Sequence, residues 1–257
     1  MSLLDLSERA AVVVGAGKGI GRATALQLAA AGAHTVVLDR HADRAESVSE
    51  EIREAGGRSD WVVADATQAR TLEEVMEAVW ARSPELDILV NITGSATWVP
   101  LLELDEADWD RDSRVNLEQH GRVCRAVVRR WQAAGRSGAI CLVGSISGRF
   151  GAPNHAAYGA AKAGLSNLVQ TAAEEWWPSD IRINAVLPGS VRTPRIEETL
   201  MDPDRPVPEE WLERLLMPED VASAIAFLVS GLARRVTGQS LVLDSGVTTR
   251  FPYALSE

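Results

Sequence analysis

The 257 residues are 46% hydrophobic and 24% charged, enough chain and apolar content to bury the core of one large α/β domain. A net charge of −10 and a sequence pI near 5.0 exclude the basic field that non-specific nucleic-acid or anionic-membrane binding requires. The two cysteines, Cys124 and Cys141, lie far apart in apolar or helical stretches and suggest neither a disulfide framework nor a metal cluster.

No apolar run approaches the roughly 18 residues of a membrane-spanning helix, and no signal-peptide pattern is present, so a cytoplasmic location is expected. Strand-like and helix-like segments then alternate along the chain. Residues 10–14 form a short apolar strand, followed by a glycine-rich turn and a helix to about residue 31. A second strand, 34–39, leads to a polar helix over 42–55, and a third, 61–64, to a helix near 71–81. The fourth strand, 86–90, ends at Asn91-Ile92-Thr93-Gly94, and a long helix runs over about 106–134. A fifth, 139–143, ends in Gly144-Ser145, and Asn154 offers an N-cap for an Ala-rich helix over 156–177. The sixth, 181–187, stops at Pro188-Gly189, and a helix over 219–229 precedes the seventh, 240–243. Unbroken apolar strands, each followed by a helix, imply one doubly wound parallel sheet with helices on both faces. No linker or repeat divides the chain, so residues 1–257 read as a single domain. The irregular stretch 190–217, which holds Pro194, Pro203, Pro206 and Pro208, reads either as a substrate lid or as a plain surface loop.

The first strand runs into Gly15-Ala16-Gly17-Lys18-Gly19-Ile20-Gly21. Ile20 breaks the pattern GxGxxG, but Gly15, Gly19 and Gly21 fit GxxxGxG. Between a strand and a helix such a loop allows close backbone approach to a pyrophosphate and aims a helix N-terminus at it. Asp39 closes the second strand, where a carboxylate accepts both ribose hydroxyls and repels a 2′-phosphate; this predicts NAD over NADP. Arg40 blunts that prediction, since an Arg there hosts a 2′-phosphate, and Asp39 also reads as a turn residue.

Ser145 follows the fifth strand, and Tyr158 and Lys162 stand four residues apart on the next helix. That spacing puts them on one face, with Cβ atoms about 5–6 Å apart. A phenol has an ordinary pKa of about 10, and a neighbouring ammonium lowers it. The pair therefore reads as a general acid/base working near neutral pH, or as two surface residues that share a helix face.

Taken in order, these motifs resemble the short-chain dehydrogenase/reductase family in its form of about 250 residues. The match runs from Gly15 to Gly246 and includes the glycine loop, Asp65-Ala66, Asn91-Ile92-Thr93-Gly94, Asn116, Ser145, Tyr158, Lys162 and Pro188-Gly189-Ser190-Val191-Arg192-Thr193. The resemblance implies a Rossmann-type fold and an acid/base role for Tyr158. It implies that Lys162 lowers the tyrosine pKa and holds the nicotinamide ribose, that Ser145 hydrogen-bonds the substrate oxygen, and that Asn116 holds a relay water. Gly15, Gly17, Lys18, Gly19, Ile20 and Gly21 would cradle the pyrophosphate, and Asp39 and Arg40 would read the ribose. Asp65 and Ala66 would touch adenine, Asn91 and Gly94 would border the adenosine ribose, and Pro188, Gly189, Val191 and Thr193 would orient the nicotinamide. The chain departs from the family at Val14, usually Thr, and at Ile92 and Thr93, usually Asn and Ala.

Ser147 reads as a substrate contact assisting Ser145 or as a turn serine, and His155 as a substrate contact or a solvent-facing helix-start residue. Trp98 and Phe150 read as pocket wall or as core. The resemblance implies an NAD(H)-dependent oxidoreductase interconverting a small-molecule secondary alcohol and ketone, and a homotetramer. An NADPH-dependent 3-oxoacyl-type ketoreductase and a non-catalytic dinucleotide sensor are the alternatives.

Overall fold

A computed structural model of the chain describes residues 4–68, 72–194, 196–197 and 209–249. The apolar runs become strands β1 (Ala10–Val14), β2 (His34–Asp39), β3 (Arg58–Val63), β4 (Ile88–Asn91), β5 (Gly138–Val143), β6 (Ile181–Pro188) and β7 (Ser240–Leu243). They form one seven-stranded sheet in the order β3-β2-β1-β4-β5-β6-β7, parallel throughout.

Strand side chains alternate between faces, so each inner strand feeds two cores. Val12 and Val14 of β1 join α3 (Leu72–Arg82), α5 (Gln119–Ala133) and α6 (Ala156–Trp176) on one face. Ala11 and Val13 join α1 (Gly19–Ala30), α2 (Ala42–Glu54) and the C-terminal helix α8 (Pro218–Val229) on the other. The β1, β4, β5 and β6 strands are buried along their whole length, which is why their sequences are mostly apolar; the buried Arg182 and Asn184 of β6 donate to backbone carbonyls. The chain leaves β1 toward β2 on one side and β4 on the other, and such a reversal of order is where doubly wound sheets bind ligands, beyond the strands' carboxyl ends.

Three elements differ from expectation. β3 starts at Arg58 rather than residue 61, because an edge strand needs no apolar run: only Ser59 and Val62 are buried, and Arg58 and Asp60 fit its open side. The helix expected over 106–134 is α4 (Glu106–Ser113), a π-helical turn (Arg114–Glu118), then α5. Asn154 does not cap α6; it holds a left-handed backbone (φ +64°), which Asn tolerates, and His155 takes the N-cap position. Two parts of the expected lid, residue 195 and residues 198–208, lie outside the described residues, which show a short helix α7 (Glu209–Leu212) after them. Among the described residues no helix is long and apolar enough to cross a membrane.

Candidate active site

The candidate residues come from the segments that follow the strands' carboxyl ends and from the helical turns around Asn116 and Tyr158. After β1, Gly15 and Gly19 hold φ of +81° and +54°, in the region that glycine favours. A Cβ on Gly21 would stand 1.9 Å from Gly15 O, so only glycine lets α1 begin this close to β1. The first turn of α1 has neither a side-chain cap nor an acidic residue, which leaves its N–H groups and the positive end of its dipole to an anion. Lys18 is its exposed N-cap residue, and Ile20 packs on the core under the loop.

Asp39, at the end of β2, is fixed across the mouth of this loop. Its Oδ2 accepts from Gly17 N at 2.9 Å and its Oδ1 from His41 N at 3.0 Å. Each oxygen keeps lone-pair capacity for a hydroxyl. Arg40 is exposed and its Nε lies 3.2 Å from His41 Nε2. Burial works against ionisation of Asp65, but hydrogen bonds from Thr67 and the charge of Arg40 outweigh it and hold the carboxyl below its usual range. Ala66 beside it is buried. On the far side, Gly189 N donates to Leu243 O, and Val191 is buried in a bridge to Leu216. Thr193 Cγ2 comes within 3.3 Å of where Gly19 would carry a Cβ, so the segment after Pro188 faces the glycine loop. This cradle, which side chains at its glycines would fill, fits the pyrophosphate of a dinucleotide.

Asn91 has another task. It is fully buried, its Nδ2 donates to Gln119 Oε1 at 3.0 Å, and its Oδ1 accepts from Thr93 N at 3.3 Å. Its side chain therefore ties β4 to α5. Gly94 does reach the centre: its Cβ position lies 3.1 Å from Asn116 Oδ1 and 3.4 Å from Lys162 Nζ.

Asn116 occupies the π-helical turn, fully buried. Its Nδ2 donates to Ser95 O at 2.6 Å and Asp112 O at 2.9 Å, and its Oδ1 accepts from Ser95 N at 3.1 Å. Lys162, 2% exposed, donates from Nζ to Val143 O at 2.7 Å, and Nζ is 5.8 Å from the Tyr158 ring centroid. Burial pushes the lysine pKa down to about 7. Ser145 Oγ accepts from Ser147 N at 3.1 Å, which leaves its O–H to donate outward. Ser147 thus orients Ser145 through its backbone. The turn that carries both serines lies almost on α6: a Cβ on Gly148 would come within 2.6 Å of Lys162 C. Asn116, Ser145, Tyr158 and Lys162 are accordingly brought together.

His155 packs its ring between Trp98 and Tyr158, with centroids 3.8 Å and 5.3 Å away. Trp98 is 63% exposed, and Val99 N donating to Asn154 O holds its loop in place. The tryptophan is therefore a wall beside Tyr158, not core, and Phe150 is likewise exposed. Among the described residues no cluster of His, Cys, Asp or Glu has the form of a metal site.

Gln119 and His120 were not singled out by sequence reasoning, yet both are fully buried beside the site. Gln119 Nε2 donates to Val115 O at 3.2 Å, and His120 Nε2 lies 2.9 Å from Thr93 O. The signal was present: the buried stripe Val123, Cys124, Val127, Val128 and Trp131, extended one turn back, lands on residues 119 and 120.

A family model described as enoyl-(acyl carrier protein) reductase matches residues 15–248. The chain is 41% identical over 244 residues to cis-4-hydroxycyclohexanecarboxylate dehydrogenase of Sinomonas cyclohexanicum, covering 94% of this chain and 97% of that one. It is 36% identical over 249 residues to L-rhamnose 1-dehydrogenase (NAD(P)(+)) of Azotobacter vinelandii, covering 94% and 97%. Among solved structures, 7α-hydroxysteroid dehydrogenase complexed with NADH and 7-oxo glycochenodeoxycholic acid superimposes with a TM-score of 0.88 at 30% identity, covering 95% of each chain.

Proposed function

The chain belongs to the short-chain dehydrogenase/reductase family, and we propose that it is an NAD(H)-dependent oxidoreductase interconverting a ring-bearing secondary alcohol and its ketone. That it is an oxidoreductase acting on CH–OH groups follows from the family and its named dehydrogenases. The observation that carries the mechanism is the convergence of Ser145, Tyr158 and a buried Lys162 at the carboxyl end of β5.

A bound nicotinamide dinucleotide supplies the hydride acceptor or donor. In the oxidation direction Tyr158 takes the hydroxyl proton, helped by the positive charge of Lys162. Ser145 donates its O–H to the substrate oxygen, where negative charge develops. Asn116, fixed by Ser95 and Asp112, holds a water for proton exchange with Lys162. Gly15 to Gly21 and the N-terminus of α1 take the pyrophosphate. Asp39 accepts the ribose hydroxyls, Asp65 and Ala66 border adenine, and Pro188 to Thr193 orient the nicotinamide.

The exposed Trp98 ring and the His155 ring beside Tyr158 offer an aromatic surface that supports a ring-bearing substrate, and the relative from Sinomonas is named for a hydroxycyclohexane carboxylate. One observation favours a second reading, an NADPH-dependent 3-oxoacyl-type ketoreductase: Arg40 stands next to Asp39 with its charge felt at Asp65. We expect a homotetramer of 27.7 kDa chains in the cytoplasm, and light scattering tests the assembly.

The test of the reaction is a screen of cyclic secondary alcohols with NAD and NADP, following reduced nicotinamide by absorbance. Turnover with higher kcat/KM for NAD is the expected result. Turnover only with NADP would put Arg40 in place of Asp39 as the ribose reader. Absence of turnover in either direction, with tight NADH binding seen by tryptophan fluorescence, would favour a sensor.

A further inference from the structure

The proposed chemistry makes no use of His120, the fully buried imidazole that follows the π-helical turn. Its Nε2 lies 2.9 Å from Thr93 O. A carbonyl oxygen only accepts, so Nε2 carries the hydrogen. Burial, and then the charge of Lys162, hold the imidazole pKa well below its usual range. The ring is therefore neutral at pH 7, and Nδ1 is a bare acceptor. That Nδ1 has no hydrogen-bond partner among the described residues and is shut off from solvent. A buried acceptor left in this condition is costly, and few occur in a folded protein.

Lys162 has the opposite requirement. Its ammonium carries three donors, of which Val143 O takes one, and burial is the sole cause of its depressed pKa. The two side chains flank one peptide. Thr93 O holds the imidazole, and the Cβ position of the next residue, Gly94, lies 3.4 Å from Lys162 Nζ. Among the described residues, titratable groups near them include Tyr158 on the lysine's own helix, Cys124 one turn beyond His120 on α5, and Asp112 on α4, whose backbone oxygen Asn116 holds. Burial pushes the Cys124 thiol up to about 12, so it stays neutral. The Asp112 carboxylate is engaged by Thr97 N and Oγ1, each at 3.1 Å.

We propose that His120 is a positioning residue for Lys162: its Nδ1 accepts a hydrogen bond relayed from the lysine ammonium by buried water and so favours the charged lysine. A charged lysine in turn keeps the Tyr158 phenol acidic, so the inference rests on the acid/base reading of that pair. Nothing is transferred in this step; the imidazole stays neutral and the lysine keeps its proton.

Two variants separate the ring's two nitrogens. His120→Gln reaches as far as Nε2 and keeps a donor for Thr93, but has no acceptor at Nδ1. His120→Asn is shorter, places its amide near Nδ1 and gives up Thr93. The readout is the near-ultraviolet titration of the Tyr158 phenol in cofactor-free protein carrying Tyr253→Phe, which removes the second of the two tyrosines. Thermal melting and the pH profile of NAD-dependent oxidation accompany it. His120→Gln is expected to melt near the parent, titrate its phenol about one pH unit higher, and move the acid limb of the profile equally. His120→Asn is expected to melt lower with the parent titration retained.

An unmoved phenol in His120→Gln, or the same shift in both variants, overturns the proposal. If neither variant folds, the nitrogen shifts of His120 in histidine-labelled protein decide. A hydrogen-bonded Nδ1 that changes in Lys162→Met supports the link, and an unchanged one overturns it. The phenol titration needs no turnover, so an enzyme that oxidises no alcohol would refute the acid/base reading separately.

Discussion

Taking the Lys162 ammonium out of water brings its pKa to about 7, where a small electrostatic change decides whether it is charged. Asp39 is arranged differently: half-exposed at the loop mouth, it is held by two backbone N–H groups. Replacing it tests the proposed ribose contact, because its anchors are on the backbone and survive. Asp39→Ala is expected to cut the NAD-to-NADP ratio of kcat/KM by about tenfold or more, the scale of one charge-assisted hydrogen bond. An unchanged ratio would remove Asp39 from the ribose site. Asp39, Ser145, Tyr158 and Lys162 were legible in the sequence because each is a distinctive residue at a strand end or at helical spacing from one. Asn91 was not. Its type and place suggest a cofactor contact, and only its burial against Gln119 shows that the side chain points inward.

At the scale of elements, the strands were legible as apolar runs except β3, whose edge position lets polar residues in. The helix expected over 106–134 is helical from Glu106 to Ala133 but carries a π-helical turn that no local sequence signal announces. That turn inserts a residue into the helical phase and sets Asn116 inward, whereas Gln119 and His120 follow from the stripe of α5 itself. A second element-scale feature is the serine-bearing turn (Ile146–Gly148) pressed on α6 through Gly148. The blocking atoms are backbone, so Gly148→Ala has to move the turn or the helix and misplace Ser145 relative to Tyr158. The expected outcome is a loss of about tenfold or more in kcat with NADH affinity kept within about twofold, measured by tryptophan fluorescence. Wild-type kcat in that variant would mean that the turn has slack the packing does not suggest.

Over the whole molecule, one sheet gathers residues from Gly15 to Thr193 at its carboxyl edge, and the same fold buries a lysine beneath them. The lysine's folded pKa, about 7, lies below its ordinary 10.5. The unfolded chain therefore binds more protons between those values, and stability from this group rises with pH across that window. Below about pH 7 the charged, buried lysine is a full liability. Cofactor-free wild type is thus expected to gain stability against urea between about pH 7 and 10 relative to Lys162→Met. Parallel curves for the two proteins would show that Lys162 keeps its proton in the fold. Residue 195 and residues 198–208 of the expected lid lie outside the described residues.

The central claim is that Tyr158 moves the substrate proton. It is tested most directly by the NAD-dependent oxidation rate of Tyr158→Phe at saturating cofactor, with NADH affinity measured on the same sample. The substitution removes one hydroxyl and keeps the ring that packs against His155. A fall in kcat of about a thousandfold or more with NADH binding unchanged is the predicted result. Turnover within about tenfold of wild type would contradict the account and assign the proton to another group.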